Sequence, residues 1–207
     1  MSNTVTILLC GVGGQGALLA ADLLARCSIA AGQDVKLSEI HGMSQRGGAV
    51  TTVVRFGSQV SSMVADKGCA DYLLSFETTE ALRNISFAKE HGCILVSDTS
   101  IKPLPVLTGN CSMPEQVNDQ LTDAGAFVIP AEELATQAGS IKAVNVVLLG
   151  CLSVFLPFAE DLWVETIKGR VPERFIEINL QAFALGRAWV REHLTDEQIV
   201  ASSVSFD

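Results

Sequence analysis

The chain has 207 residues, of which 48% are hydrophobic and 18% are charged, and its formal net charge is −9. This acidic balance argues against nucleic-acid binding, which needs a basic face, and provides no polybasic segment for an anionic membrane surface. We expect a single domain over 1–207, because a chain of this length buries roughly 70% of its unfolded surface in one core.

The sequence shows no sign of a membrane span or of a metal cluster. The most apolar stretch, 146–159, is interrupted by Gly150, Ser153 and Pro157 and is shorter than the roughly 18–20 residues of a span. No Lys or Arg precedes the apolar run near the N-terminus, so we expect a cytoplasmic protein without a secretory signal. The six cysteines form no CxxC pair, which predicts free buried thiols and disfavours a ferredoxin-type iron–sulfur cluster.

The first two predicted elements are joined by a glycine turn. Val5–Cys10 is an apolar run of strand length, and a helix is predicted from Gln15 to about Ala31. The segment 11–16 between them reads Gly-Val-Gly-Gly-Gln-Gly, in which the glycines permit a sharp turn and a close approach to a ligand. The free N–H groups at the start of the helix favour an anion such as phosphate. Glycine turns also occur for packing alone, so this motif leaves both interpretations open.

A second glycine turn follows the next predicted strand. Asp34–Ile40 alternates like a strand, and Ala49–Phe56 is β-branched almost throughout, as in a third strand. The segment 41–48 between them reads His-Gly-Met-Ser-Gln-Arg-Gly-Gly. Both turns follow the carboxyl ends of strands, so Gly13–Gly16 is expected beside Glu39–Arg46 on one rim of the sheet, where ligands bind in open α/β folds.

The rest of the chain alternates strands with helices. Strands are predicted at 72–76, 93–98 and 126–130, and the tail at 199–201 is expected to add an edge strand or to contact a neighbour. Helices are predicted at 78–82, 85–91, 114–124, 131–138, 142–155, 160–170 and 174–193, with a proline-punctuated loop at 102–112. This order predicts an α/β fold: a doubly wound, mostly parallel sheet with a Rossmann-like start and a helical C-terminal portion.

Three side chains near the second turn are candidates for binding. Arg46 can pair with a phosphate or a carboxylate through two hydrogen bonds, or brace the turn by a salt bridge. His41 can contact a substrate or cofactor, or be a hydrogen-bonded structural histidine. Glu39 ends the second strand roughly 20 residues beyond the glycine turn, where an acidic group binds the ribose of a nicotinamide cofactor.

Other polar residues suit structural roles better. Lys142 and Asn145 are expected to act as helix caps or surface contacts, Asp98 is a candidate at a strand end with capping as its alternative, and His91 and His193 are expected near helix C-termini. The sequence contains no HExxH, Walker A or GxSxG motif and no convincing nucleophile–base pair. We therefore predict no catalytic residue and no metal site on this chain alone.

The two turns together resemble a known family. The segments 11–16 and 38–50 are similar to the gamma domain of the 2-oxoacid:ferredoxin oxidoreductases, and most similar to the beta subunit of the indolepyruvate branch. The similarity continues at 71–77, 80–83, 142–150 and 171–183, so it covers essentially the whole chain as one gamma-type domain.

The resemblance implies a subunit of a complex that decarboxylates an aryl pyruvate oxidatively, with coenzyme A as co-substrate and ferredoxin as electron acceptor. It implies a larger alpha subunit that carries thiamine diphosphate and 4Fe–4S clusters, while this chain binds no cofactor alone and can form a homodimer when isolated. The residues expected to line the cofactor cleft are those of the two turns and their neighbours: Gly11, Gly13, Gly14, Gln15, Gly16, Glu39, His41, Gln45, Arg46 and Gly47.

Two other classes of protein remain open at this point. An NAD(P)- or flavin-binding oxidoreductase uses the same glycine turn together with Glu39. A purely structural assembly subunit needs the glycines only for packing.

Overall fold

The protein contains one six-stranded sheet. The computed structural model describes residues 4–41 and 47–204, except for the side chain of His41. The strands are β1 (Val5–Val12), β2 (Asp34–His41), β3 (Ala49–Gly57), β4 (Ala70–Ser75), β5 (Ala88–Ser97) and β6 (Phe127–Ile129), arranged in the order β2-β3-β1-β4-β5-β6. Parallel ladders join β1 to β4, β4 to β5 and β5 to β6, which confirms the predicted mostly parallel α/β sheet.

Strand β3 differs from the expectation of strands separated by helices. It forms an antiparallel hairpin with β2 and inserts between β2 and β1, to which it is also antiparallel. Thr52 of β3 lies between Leu9 of β1 and Glu39 of β2 in the ladder. The first helix therefore connects two strands that are not neighbours in the sheet.

Helices cover both faces of the sheet unequally. The helices are α1 (Ala17–Ala30), α2 (Thr78–Asn84), α3 (Leu104–Leu107), α4 (Val117–Asp123), α5 (Ala131–Gln137), α6 (Val144–Ser153), α7 (Glu160–Arg170), α8 (Ile176–His193) and α9 (Asp196–Ser202). The larger core packs α1 and α5–α8 on one face, and the smaller core packs α2 and α4 on the other. Strand β1 is apolar on both sides because both of its faces are buried.

Helices α6 and α8 approach closely through two glycines. A Cβ on Gly150 would lie 2.2 Å from the backbone oxygen of Phe183, and a Cβ on Gly186 would lie 2.0 Å from that of Val147. The predicted helix at 160–170 matches α7, and the helices predicted at 142–155 and 174–193 begin with 3₁₀ turns before α6 and α8. Among the described residues, no helix has the length and apolar character that crossing a bilayer requires.

One predicted element is wrong, and one of the two alternatives for the tail is excluded. The segment 85–91 is a 3₁₀ turn followed by the start of β5, so His91 lies in a strand, and Gly92 is a strand residue where a Cβ would meet the backbone oxygen of Ala70 at 2.9 Å. The tail at 199–201 is part of α9 and not an edge strand. The hydroxyl of Tyr72 donates to the carbonyl oxygen of Ser202 at 2.7 Å, which ties α9 to the sheet.

Smaller differences occur between β5 and β6. The loop at 102–112 contains the single turn of α3, and α4 begins at Val117 rather than at 114. Gln116 precedes α4 with φ 52°, in the left-handed region, which no local pattern predicts for a glutamine.

Candidate functional site

The two glycine turns meet at the carboxyl ends of β1 and β2. The N–H of Gly13 donates to the carbonyl oxygen of Gly48 at 2.8 Å, and the N–H of Gly47 donates to that of Gly13 at 3.3 Å. The expectation that both turns share one rim is therefore confirmed for the described part of the second turn. The predicted site residues Gln45 and Arg46, and the side chain of His41, lie outside the described residues.

Gln15 holds the first turn against β4. Its Oε1 accepts from the N–H of Val12 at 2.7 Å, and its Nε2 donates to the carbonyl oxygen of Phe76 at 2.8 Å. Gly11 has to be glycine here, because a Cβ would lie 2.7 Å from Oε1 of Gln15 and 2.9 Å from Cβ of Phe76. The amide that the sequence suggested as a cofactor ligand thus has one donor and one acceptor bonded to the backbone.

Asn145 holds the start of α1. Gly16 precedes the helix with φ 81°, and Nδ2 of Asn145 donates to its carbonyl oxygen at 3.1 Å. Asn145 is 3% exposed, and a Cβ on Gly16 would lie 2.6 Å from Nδ2. Within the described part of the chain no side chain caps α1, so the N–H groups of its first turn have no intrahelical partner and suit an anionic ligand.

A groove of about 690 Å³ lies in front of this helix start. It is at the point where the connections from β1 and β4 lead to opposite sides of the sheet, which is the usual binding crevice of open α/β folds. The groove is lined by residues of the first turn, of the segment after β5 and of the helices that follow β6: Gly14, Gln15, Gly16, Leu19, Thr99, Ser100, Ile101, Glu132, Ile141, Lys142, Val144 and Asn145.

The segment Thr99–Ile101, which we call the groove wall, was not expected from the sequence. Its backbone is fixed by the N–H of Thr78, which donates to the carbonyl oxygen of Thr99 at 3.0 Å. The hydroxyl of Thr99 donates to Oε1 of Glu132 at 2.9 Å, and the N–H of Ile101 donates to Oε1 of Glu77 at 3.1 Å. Glu77 is 1% exposed. The only sequence signal for it is an acidic residue between an apolar run and a helix.

Of the polar candidate residues outside the two turns, Lys142 and Asn145 lie at the groove and Asp98 lies elsewhere. Lys142 and Asn145 line the groove, Lys142 as an exposed cation and Asn145 as a buried contact between helices. Asp98 instead borders a separate hollow of about 330 Å³ beside α4. Burial raises the pKa of the Asp98 carboxyl, and the charges of Glu132 and Glu133 raise it further. His193 is near the C-terminus of α8, as expected, and stacks on Trp189.

Glu39 does not reach the glycine turn. It is exposed on β2, with β3 between it and β1. Two strand spacings amount to about 10 Å, whereas a ribose bound over the turn requires an acidic group on the strand next to β1. This arrangement disfavours the nicotinamide alternative.

The thiols divide into two groups. Cys10, Cys27, Cys93 and Cys151 are buried, whereas Cys69 and Cys111 are exposed. Burial raises the pKa of Cys10, Cys27 and Cys93 to about 12, so these thiols stay protonated and are poor nucleophiles at neutral pH. In the ranges 4–41 and 47–204, no three His, Cys, Asp or Glu side chains are grouped as a metal site.

The sequence matches a family of known enzymes. The family described as pyruvate ferredoxin/flavodoxin oxidoreductase matches residues 6–189. The chain belongs to this family. Indolepyruvate oxidoreductase subunit IorB of Thermococcus kodakarensis is 39% identical over 195 residues, which are 91% of this chain and 96% of that protein.

Solved structures share the fold of this family member. The gamma subunit of a keto/oxoacid ferredoxin oxidoreductase from Geobacter sulfurreducens matches with a TM-score of 0.65 at 24% identity, covering 88% of this chain and 95% of that one. The 2-oxoglutarate:ferredoxin oxidoreductase of Magnetococcus marinus, solved with 2-oxoglutarate, coenzyme A and succinyl-CoA bound, matches with a TM-score of 0.70 at 23% identity. Its match covers 93% of this chain but only 32% of that longer one.

Proposed function

We propose that this chain is the small subunit of an indolepyruvate-type 2-oxoacid:ferredoxin oxidoreductase. The similarity to IorB over nearly the full length of both chains carries the proposal. The complex would convert an aryl pyruvate, coenzyme A and oxidised ferredoxin into aryl-acetyl-CoA, carbon dioxide and reduced ferredoxin. An isolated chain is expected to be inert toward oxoacids and able to form a homodimer without the larger subunit.

The donor set of the chain supports placing the redox cofactors on the larger subunit. A 4Fe–4S cluster needs four grouped thiolates, and the described cysteines are scattered, four of them in the core. Thiamine diphosphate supplies the electron sink that decarboxylation requires. The groove provides backbone N–H groups and one cation, which suit binding of an anion but not the chemical step.

The groove is proposed to bind the coenzyme A co-substrate at the boundary with the larger subunit. The first turn of α1 presents N–H groups to a phosphate, and Lys142 adds a positive charge at the same opening. Arg46 belongs to the second glycine turn, between β2 and β3, and the end of that turn at Gly48 is hydrogen-bonded to Gly13. We propose that the guanidinium of Arg46 pairs with a phosphate or carboxylate of the ligand. In this role the chain binds and orients, and excludes water from the cleft.

The test is reconstitution of the complex with wild-type or Arg46→Ala small subunit. Losing a charge-assisted pair is expected to lower kcat/KM by about 10- to 100-fold while the circular dichroism of the chain stays unchanged. Arg191→Ala, an exposed arginine near the end of α8, is the matched control and should leave turnover unchanged. Unchanged kinetics for Arg46→Ala with all substrates would reject its assignment, and turnover by the small subunit alone would reject the proposed function.

A further inference from the structure

Glu77 joins the start of α2 to the groove wall. It follows β4 and is almost fully buried, and each of its carboxylate oxygens accepts a different backbone N–H. Oε2 accepts from Glu80 at 2.7 Å and so caps α2, while Oε1 accepts from Ile101 at 3.1 Å in the groove wall.

The choice of glutamate at this position needs a reason beyond the helix cap. Side chains that cap a helix N-terminus are usually short, and Asp, Asn, Ser and Thr are preferred. The additional methylene of Glu77 allows one oxygen to cap α2 while the other reaches the wall 24 residues later in the chain. A shorter acidic residue would satisfy the cap alone.

We propose that Glu77 is a positioning residue that holds the groove wall at a fixed distance from the glycine turn. Gln15 fixes the first turn to the carbonyl oxygen of Phe76, and Glu77 is the next residue in the chain. The glycine turn and the groove wall are thereby anchored to Phe76 and Glu77, two consecutive residues that follow β4. A ligand between them then meets two surfaces whose separation is set before it binds.

The variant Glu77→Asp separates the helix cap from the contact with the groove wall. It retains the charge and the cap but is too short to bond both N–H groups. In the full chain, amide exchange measured by NMR should become about tenfold faster at Ile101 and change little at Glu80. In the reconstituted complex, the apparent KM for coenzyme A should rise about three- to tenfold with kcat little changed. This second measurement depends on the proposed function, whereas the exchange measurement does not.

Thr195→Ala is the control for loss of a cap. Thr195 caps α9 through the N–H of Gln198, so its removal weakens a helix without touching the groove and should alter neither measurement. If Glu77→Asp does not fold, Glu77→Gln serves, because its amide has one acceptor oxygen for two N–H groups.

Unchanged exchange at Ile101 would overturn the proposal, and so would faster exchange with an unchanged KM. A wild-type complex without turnover would reject the proposed function, and the exchange at Ile101 would then decide the positioning role by itself.

Discussion

Substituting Gly16 by alanine tests how tightly the start of α1 is constrained. The residue has φ 81°, and placing a side chain in the left-handed region costs about 1–2 kcal/mol. The new Cβ would also lie 2.6 Å from Nδ2 of Asn145, which is buried and bonded to the carbonyl oxygen of Gly16. Displacing that amide forfeits a hydrogen bond worth about 0.5–1.5 kcal/mol. The sum predicts a loss of about 1.5–3.5 kcal/mol in the free energy of unfolding.

A second glycine of the same helix separates the two contributions. Gly32 follows α1 with φ 82°, and a Cβ there would have no described heavy atom within 4 Å. Gly32→Ala therefore measures the backbone strain alone, about 1–2 kcal/mol. The difference between the two glycine variants is the cost of the contact with Asn145.

The assay is urea unfolding followed by circular dichroism, with Asn145→Ala as a second background. Removing the amide leaves only ordinary contact with the new Cβ, so Gly16→Ala should cost about 1 kcal/mol less in that background than in the wild type. The reasoning is refuted if Gly16→Ala costs no more than Gly32→Ala, or if its cost is the same in both backgrounds.

Three further predictions concern glycine packing, a buried carboxyl group and the exposure of thiols. Gly186→Ala should destabilise the protein by about 1–3 kcal/mol, because the new Cβ would overlap the backbone of α6. Gly169→Ala, in open space near the end of α7, should instead stabilise the protein by about 0.5–1 kcal/mol. Thermal unfolding of the two variants measures the difference. Glu80→Gln removes a carboxyl whose pKa is raised by burial. Because the carboxylate disfavours folding above that pKa, this variant should be more stable than wild type at pH 7, and urea titrations should show the gain vanishing as the pH falls below the ordinary glutamate range. A thiol reagent should modify two of the six cysteines quickly in the folded protein and all six in denaturant, the fast pair being Cys69 and Cys111.

Local patterns were sufficient for the first element and for the position of the rim. The apolar strand, the glycines at 11–16 and the helix after them form through neighbours in the chain, so β1 and α1 lie within a few residues of their predicted ranges. The helix predicted at 160–170 is also local, with acidic residues in its first turn and basic ones in its last.

Contacts between distant residues could not be predicted in this way. Asn145 and Gly16 are 129 positions apart, and Glu77 and Ile101 are 24 apart, so no spacing rule joins either pair. Gly92 was predicted to end a helix, but it is a strand residue, and the absence of a side chain there allows the backbone to approach that of Ala70 closely. A glycine in the sequence indicates either a close approach of neighbouring atoms or a positive φ, but the sequence alone does not distinguish the two causes.

The insertion of β3 explains why half of the site that the dinucleotide-binding alternative requires is present and half is not. The glycine turn depends only on β1 and α1, so its N–H groups remain available to an anion whatever strand lies beside them. The ribose-binding acid depends on which strand neighbours β1, and the hairpin places Glu39 on the far side of β3. The described hydrogen-bonding groups that can complete a ligand site here therefore lie on the opposite side of the turn, where β4 and β5 end, and would act together with the proposed contact of Arg46. Thr99, Ser100, Glu132 and Lys142 are among the polar side chains that the fold brings to that side.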